Sequence, residues 1–223
     1  DFSKYKKRVS PVLLRQVLRS VALQAGSKFV YTIASKDVRS ALVKDALHLL
    51  TLAGLIVPVK HTSANGLPLG AEENDNYVKY LFFDLGVMQT MLGNPPSDTL
   101  LASEVDFVNK GAASEMFAGL ELLKYHDCFQ KAEMHYWQNT AKNALSEVDY
   151  LIAKNGKVLP IEVKASTQGS MQSLWVFMRK HRIHDGVRTS LENFGQFYYY
   201  DSAADQAERL VQIIPLYALS NLK

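Results

Sequence analysis

SEVDYLIAKNGKVLPIEVKA, residues 146–165, carries two runs rich in Val, Ile, Leu and Tyr on either side of Asn155-Gly156. Asn-Gly between such runs is the strongest short-range sign of a two-residue hairpin, because both central residues of a type I′ turn need positive φ. With Lys154 facing Lys157, counting back along both strands sets Asp149 opposite Glu162 and Glu147 opposite Lys164. Side chains alternate faces with period two. Those four are therefore predicted on one side, with Val148, Tyr150, Ile152, Leu159, Ile161 and Val163 on the other, core-facing side.

Directly opposed residues have Cβ atoms about 5 Å apart. Two carboxylates at that distance repel by roughly 3 kcal/mol at an effective dielectric near 20, a large term against the stability of a domain. The pair is tolerable if one acid is protonated or if a cation lies between them. Hard divalent cations such as Mg²⁺ are held by one or two carboxylates, with water and substrate phosphate in the other positions. A lysine on the same face, two residues past the second acid, can offset charge on a phosphoryl centre. The alternative is an exposed strand face carrying a few weak salt bridges. The apolar flanking runs speak against a freely exposed strand.

Asp149, twelve residues, then Glu162-Val163-Lys164 resembles the D-x(n)-(D/E)-x-K signature of the PD-(D/E)xK nuclease superfamily. The proline often found before the aspartate is absent, and Val148 stands there. More broadly, the chain resembles the C-terminal module of bacterial and archaeal AAA-type ATPases. The matching segments are LVKDALHLLTLAGLIVPV (42–59), LPLG (67–70), YVKYLFFDLGVM (77–88), KGAASEMFAGLELL (110–123), EVDYLI (147–152), PIEVKAS (160–166) and IIPLYALSNL (213–222). The resemblance implies an α/β chain: a winged helix over residues 1–94, followed by a PD-(D/E)xK restriction-endonuclease-like core over 97–223. It also implies Mg²⁺ or Mn²⁺ held by Glu115, Asp149, Glu162 and the carbonyl of Val163. Catalysis would rest on Asp149, Glu162 and Lys164, with DNA as the substrate.

Composition sets wider bounds. The 223 residues have room for one large domain or two small ones. Hydrophobic content of 48% and charged content of 21% are ordinary for a globular protein. A formal charge of +3 permits nucleic-acid contact without demanding it. One cysteine, Cys128, excludes an internal disulfide and a zinc cluster, and is expected as a small buried hydrophobe or an inert thiol. No apolar run reaches membrane-spanning length and no signal peptide is visible, so a cytoplasmic location and no membrane partner are expected. The start at Asp1, without methionine, is expected of a fragment or processed product. No G-x-x-x-x-G-K-[ST] loop occurs. ATP binding would belong to the AAA-type ATPase domain upstream in the parent protein, itself an expected partner.

In the first part, Lys4, Lys6, Lys7 and Arg8 make a basic start that reads as a solvated tail. Pro11 opens a helix ending near Gly26, and Ser35 is the expected N-cap of a second helix over 36–53 with Gly54 as its stop. Residues 55–61 and 77–83 read as strands joined by a long polar loop, the order of a winged helix. Arg39, Lys44, Lys60 and His61 are candidate phosphate contacts, opposed by Asp37, Asp45, Glu72, Glu73 and Asp75. A short helix opens at Asp84 and ends near Gly93, and Pro95-Pro96 is the expected linker.

In the second part, residues 99–126 are predicted as one long helix, with Ala112, Glu115, Met116, Gly119, Leu120 and Leu123 on one stripe. Glu115 is either a margin residue turned outward or a third carboxylate. Residues 133–138 read as a strand, with His135 structural or touching the metal. A helix is expected at 174–182, and strands at 186–190 and 208–214. His181 and His184 read as surface residues, Tyr198 to Tyr200 as half-buried strand residues, and Arg179, Lys180, Arg182 and Arg188 as a backbone-binding rim. Two functions remain open: a metal-dependent deoxyribonuclease, or a non-catalytic DNA- or protein-binding adaptor of the ATPase.

Overall fold

In a computed structural model, residues 9–93, 110–141, 146–164, 170–202 and 205–222 are described. They form a mixed α/β fold whose strands make an eight-stranded sheet in the order β2-β1-β3-β4-β5-β6-β8-β7. The chain divides into two compact units, Asp1–Pro58 with Val78–Met116, and Val59–Tyr77 with Phe117–Lys223. The basic start, the Pro95-Pro96 linker and the first part of the long helix lie outside the described residues.

The first unit is mainly helical. Helix α1 (Pro11–Leu23) starts at Ser10, whose hydroxyl accepts the Leu13 N–H, with proline in the first turn where no partner for its nitrogen is needed. A short helix α2 (Tyr31–Ala34) precedes α3 (Ser40–Leu52). Ser35 closes α2 and does not open α3, so the predicted N-cap is misplaced by about one helical turn. Val17, Val21, Val43, Ala46, Leu47 and Leu50 are buried on the facing sides of α1 and α3. Helix α4 (Leu85–Met91) begins where predicted, with the Asp84 carboxylate accepting the Val87 N–H.

Strands β1 (Ile56–Thr62) and β2 (Glu73–Phe82) run antiparallel, with Phe83 N–H bonded to Leu55 C=O at one end and Ser63 N–H to Glu72 C=O at the other. The expected wing is not a detached hairpin. β1 pairs in parallel with β3 (Met134–Gln138) through Val59↔Met134 and His61↔Tyr136. β2 also starts four residues before the predicted strand. Its first residue, Glu73, is held by Lys60 and by His135 Nε2 at 2.9 Å, so cross-strand ion pairs extend it into polar sequence.

In the second unit, β4 (Glu147–Lys154) and β5 (Lys157–Glu162) form the central hairpin. Asn155 and Gly156 have φ of 51° and 73°, the predicted I′ turn. β6 (Asp185–Ser190) lies parallel to β5 and to β8 (Glu208–Pro215), with β7 (Gly195–Tyr200) antiparallel at the edge. Helix α5 (Lys110–Tyr125) belongs to the first unit up to Met116 and to the second from Phe117, and it buries Met116, Ala118, Gly119, Glu121 and Leu122. Met116 and Gly119 are buried as predicted, while Ala118, Glu121 and Leu122 take the buried places expected of Leu120 and Leu123; Lys124 pairs with the Glu121 carboxylate. Helix α6 (Gln172–Lys180) lays Phe177 on Trp137, Val148 and Leu151, and Leu174 and Met178 on Val211. Gly186 lies beneath it, where a Cβ would meet Met178 Sδ at 3.2 Å and the methionine would have to give by a few tenths of an ångström.

Candidate active site

The paired ladder of β4 and β5 runs from Lys154↔Lys157 to Tyr150↔Ile161 in the predicted register and stops one residue short of the two acids. Against β3, His135 pairs with Leu151 and Trp137 with Val148, so two steps on β3 match three on β4. The extra residue is a bulge at Asp149-Tyr150. It corrects the predicted alternation: Val148 and Leu151, three residues apart, share one core cluster. Bulges re-aim side chains. Here Asp149 Oδ2 accepts the Val163 N–H at 2.7 Å, taking over where the backbone ladder ends.

Glu162 is buried at 5% exposure. Its Oε1 accepts from Lys164 Nζ at 2.7 Å, while Oε2 is buried and has no hydrogen-bond partner among the described residues. Burial first, then the Asp149 charge, pushes the Glu162 carboxyl up to about 7; Lys164 pulls the other way and Glu147 adds to the rise. Glu147 and Asp149 offer carboxylate oxygens within 4.8 Å of each other. Thus Asp149, Glu162, Val163 and Lys164 come together at one end of the hairpin. Lys164 is spent on Glu162, however, and not on the Glu147 expected opposite it. Glu115 lies in the first unit, where it accepts from the buried Lys79 ammonium at 2.8 Å.

The donor set fits a hard divalent cation. It is all oxygen, one buried oxygen lacks a donor, and two further carboxylates act on it electrostatically. An unpartnered buried oxygen costs about 1–3 kcal/mol, which either a proton or a cation would relieve.

Thr189 is a positioning residue without any sequence signal, being one threonine in a short strand. It is fully buried; its hydroxyl accepts the Lys164 N–H at 2.7 Å and donates to the Lys164 carbonyl at 3.0 Å. The backbone carrying the lysine is thereby pinned from the neighbouring strand.

Other candidates fall elsewhere. His61 is buried with Nε2 on the Gln138 carbonyl, and Lys60 is paired with Glu73 and Asp75. Lys44 lies over the Tyr31 ring. His135 is structural, held on Glu73. His181 is half-buried where a surface residue was expected; it packs on Phe177 and Trp137, and the partial burial lowers its pKa. Of the expected basic rim, Arg179 pairs with Asp201 and Arg188 is buried at the level of Glu162, while Lys180 and Arg182 are exposed. Tyr198 and Tyr200 are exposed, beyond the half-burial expected, and Tyr199 stacks on Trp175 at 4.5 Å. Cys128 is exposed.

The titration of Glu162 gives a first expected result. A carboxyl raised from 4.5 to about 7 on folding stabilises the metal-free chain fully below pH 4.5, and that contribution is lost as pH rises through 7. The loss is about 3 kcal/mol. Urea midpoints without divalent cation should fall between about pH 5 and pH 7.5 in the wild type, and much less in Glu162→Gln. Parallel profiles would show that Glu162 ionises freely.

Residues 110–219 match the family model of a domain of unknown function (DUF4143), a domain commonly found C-terminal to AAA ATPase domains. Residues 1–98 match a second domain of unknown function (DUF8612). No curated protein matches the chain. Among the described residues, no helix is long and apolar enough to cross a membrane.

Proposed function

We propose that the chain is the C-terminal part of an AAA-type ATPase and acts as a Mg²⁺- or Mn²⁺-dependent DNA phosphodiesterase. Residues 97–223 would be a PD-(D/E)xK nuclease-like core, and residues 1–94 a winged helix. ATP would bind upstream in the parent protein, and the setting would be the cytoplasm. The observation that carries the reading is Glu162 Oε2, a buried carboxylate oxygen without a donor, beside Asp149 and followed two residues later by Lys164.

A divalent cation held by Asp149, Glu162 and the Val163 carbonyl would lower the pKa of a bound water and offset phosphate charge. Glu115 is included in this ligand set on the motif resemblance. Asp149 also braces the strand end through the Val163 N–H, and Thr189 fixes the backbone of Lys164. Lys164 would turn from Glu162 to the phosphoryl oxygens, which carry the greater charge in the transition state.

One observation favours the adaptor reading. Lys164 already neutralises one Glu162 oxygen, and a carboxyl near 7 can hold a proton, so the acids are accommodated without a cation. Calorimetric titration with Mn²⁺ above about pH 8 separates the two, since Glu162 is then ionised. Saturable binding that Glu162→Gln removes supports the metal centre, and no heat at millimolar Mn²⁺ supports the adaptor.

A further inference from the structure

At the opposite end of the same hairpin lies a cavity of 530 Å³, inside the second unit. Strand geometry puts it roughly 17 Å from Asp149 and Glu162, five residues along β4. Lys154, Lys157, Arg182 and His184 are among its lining residues, and so are the apolar Leu67, Val158 and Ile183. A volume of this size is within the range of small-ligand sites, and an apolar wall with a few convergent polar groups is their usual chemistry.

Two features, the pairing of the lysines and the lack of acid partners, make these cations more than a solvated surface. Lys154 and Lys157 are directly paired across the ladder, so two like charges stand about 5 Å apart at their Cβ atoms, an arrangement that is destabilising alone. Neither they nor Arg182 forms an ion pair with any acid among the described residues, although Asp185 also lines the cavity. Glu72, the acid acting on His181 from the loop side, is itself occupied by the Asn65 amides. Arg182 takes φ 53° as the residue that closes α6, with its N–H on the Arg179 carbonyl and the Ile183 N–H on the Met178 carbonyl; this helix end places Arg182 in the cavity lining.

We propose that this cavity binds a phosphate-bearing ligand of nucleotide size, with its phosphates on Lys154, Lys157 and Arg182 and its base against Leu67 and Ile183. Arginine forks and lysine ammonium groups are the usual partners of phosphate oxygens. An anion between Lys154 and Lys157 would turn their repulsion into two attractions. The ligand chemistry is that of a free nucleoside diphosphate or of the terminal nucleotide of a strand. The site shares no residue with the proposed metal centre, so each stands or falls separately.

The test is calorimetric titration of the whole chain at low salt, without divalent cation, using ADP and a 5′-phosphorylated thymidine pentanucleotide. Binding of ADP assigns the site to a free nucleotide; binding of the pentanucleotide alone assigns it to a strand end. In either case Lys154→Ser with Lys157→Ser should weaken binding by about tenfold or more. It should also flatten the salt dependence, by about 0.7 in the log–log slope for each strand phosphate that is no longer neutralised. Arg182→Gly removes a charge while relieving the positive φ, so it should weaken binding yet fold at least as stably as wild type. Lys164→Ala should bind like wild type. Failure of both probes to bind, or unchanged affinity in the two cavity variants, would overturn the assignment.

Discussion

Lys164→Ala is expected to slow DNA hydrolysis by about 10²-fold or more, the scale for loss of one group that stabilises developing charge. The residue sits where such a loss would be felt: its backbone is gripped at both ends by Thr189, and its ammonium rests on Glu162 Oε1 at 2.7 Å. Metal affinity should not fall with it. Removing the ammonium frees a second Glu162 oxygen and takes a positive charge from beside the cation. It also removes a group that holds the Glu162 carboxyl down. The comparison therefore belongs above about pH 8, where no proton competes for that oxygen. Lys164→Arg should rescue poorly, because its planar fork spreads the charge and cannot repeat the single contact. Equal cleavage by Lys164→Ala and wild type would take the residue out of the mechanism. Absence of cleavage by wild type with Mg²⁺ or Mn²⁺, alone or joined to the ATPase domain, would leave the adaptor.

Asp149→Asn is expected to abolish divalent binding while the metal-free chain remains as stable as wild type or becomes more so. The amide oxygen can still accept the Val163 N–H, so the strand end keeps its brace. What disappears is the negative charge that helps raise the Glu162 carboxyl. Stability should therefore rise most at neutral and higher pH, where wild type carries both charges. Calorimetry with Mn²⁺ and urea unfolding without it check the two halves. Unchanged Mn²⁺ affinity would exclude Asp149 as a ligand. A clear loss of metal-free stability would mean that its charge serves the fold.

The hairpin was legible because its chemistry is local. Asn155-Gly156 can take two positive φ values in succession, and once that turn is set the pairing from Lys154↔Lys157 to Tyr150↔Ile161 follows by counting. Helix α4 was legible for a similar reason, since Asp84 can cap only the residues that follow it. The start of β2 was not: acidic residues read as loop until Lys60 and His135, distant in sequence, are brought alongside Glu73. Arg188 and His181 likewise look like surface residues in the sequence. Arg188 is buried between neighbouring strands, and His181 is half-buried against Trp137 and Phe177.

The identity and spacing of Asp149, Glu162 and Lys164 are properties of the chain, and so is the turn that brings their strands together. Whether those residues form a site was decided in three dimensions. The bulge that aims Asp149 at the Val163 amide depends on how β3 pairs with β4, and a two-residue repeat contains no hint of it. The burial that lifts the Glu162 carboxyl is imposed by the surrounding core, and Thr189 reaches Lys164 from another strand. Turn chemistry acts between adjacent residues and can be read from them. Desolvation and side-chain aim are set by whatever packs alongside, and only the tertiary fold supplies that.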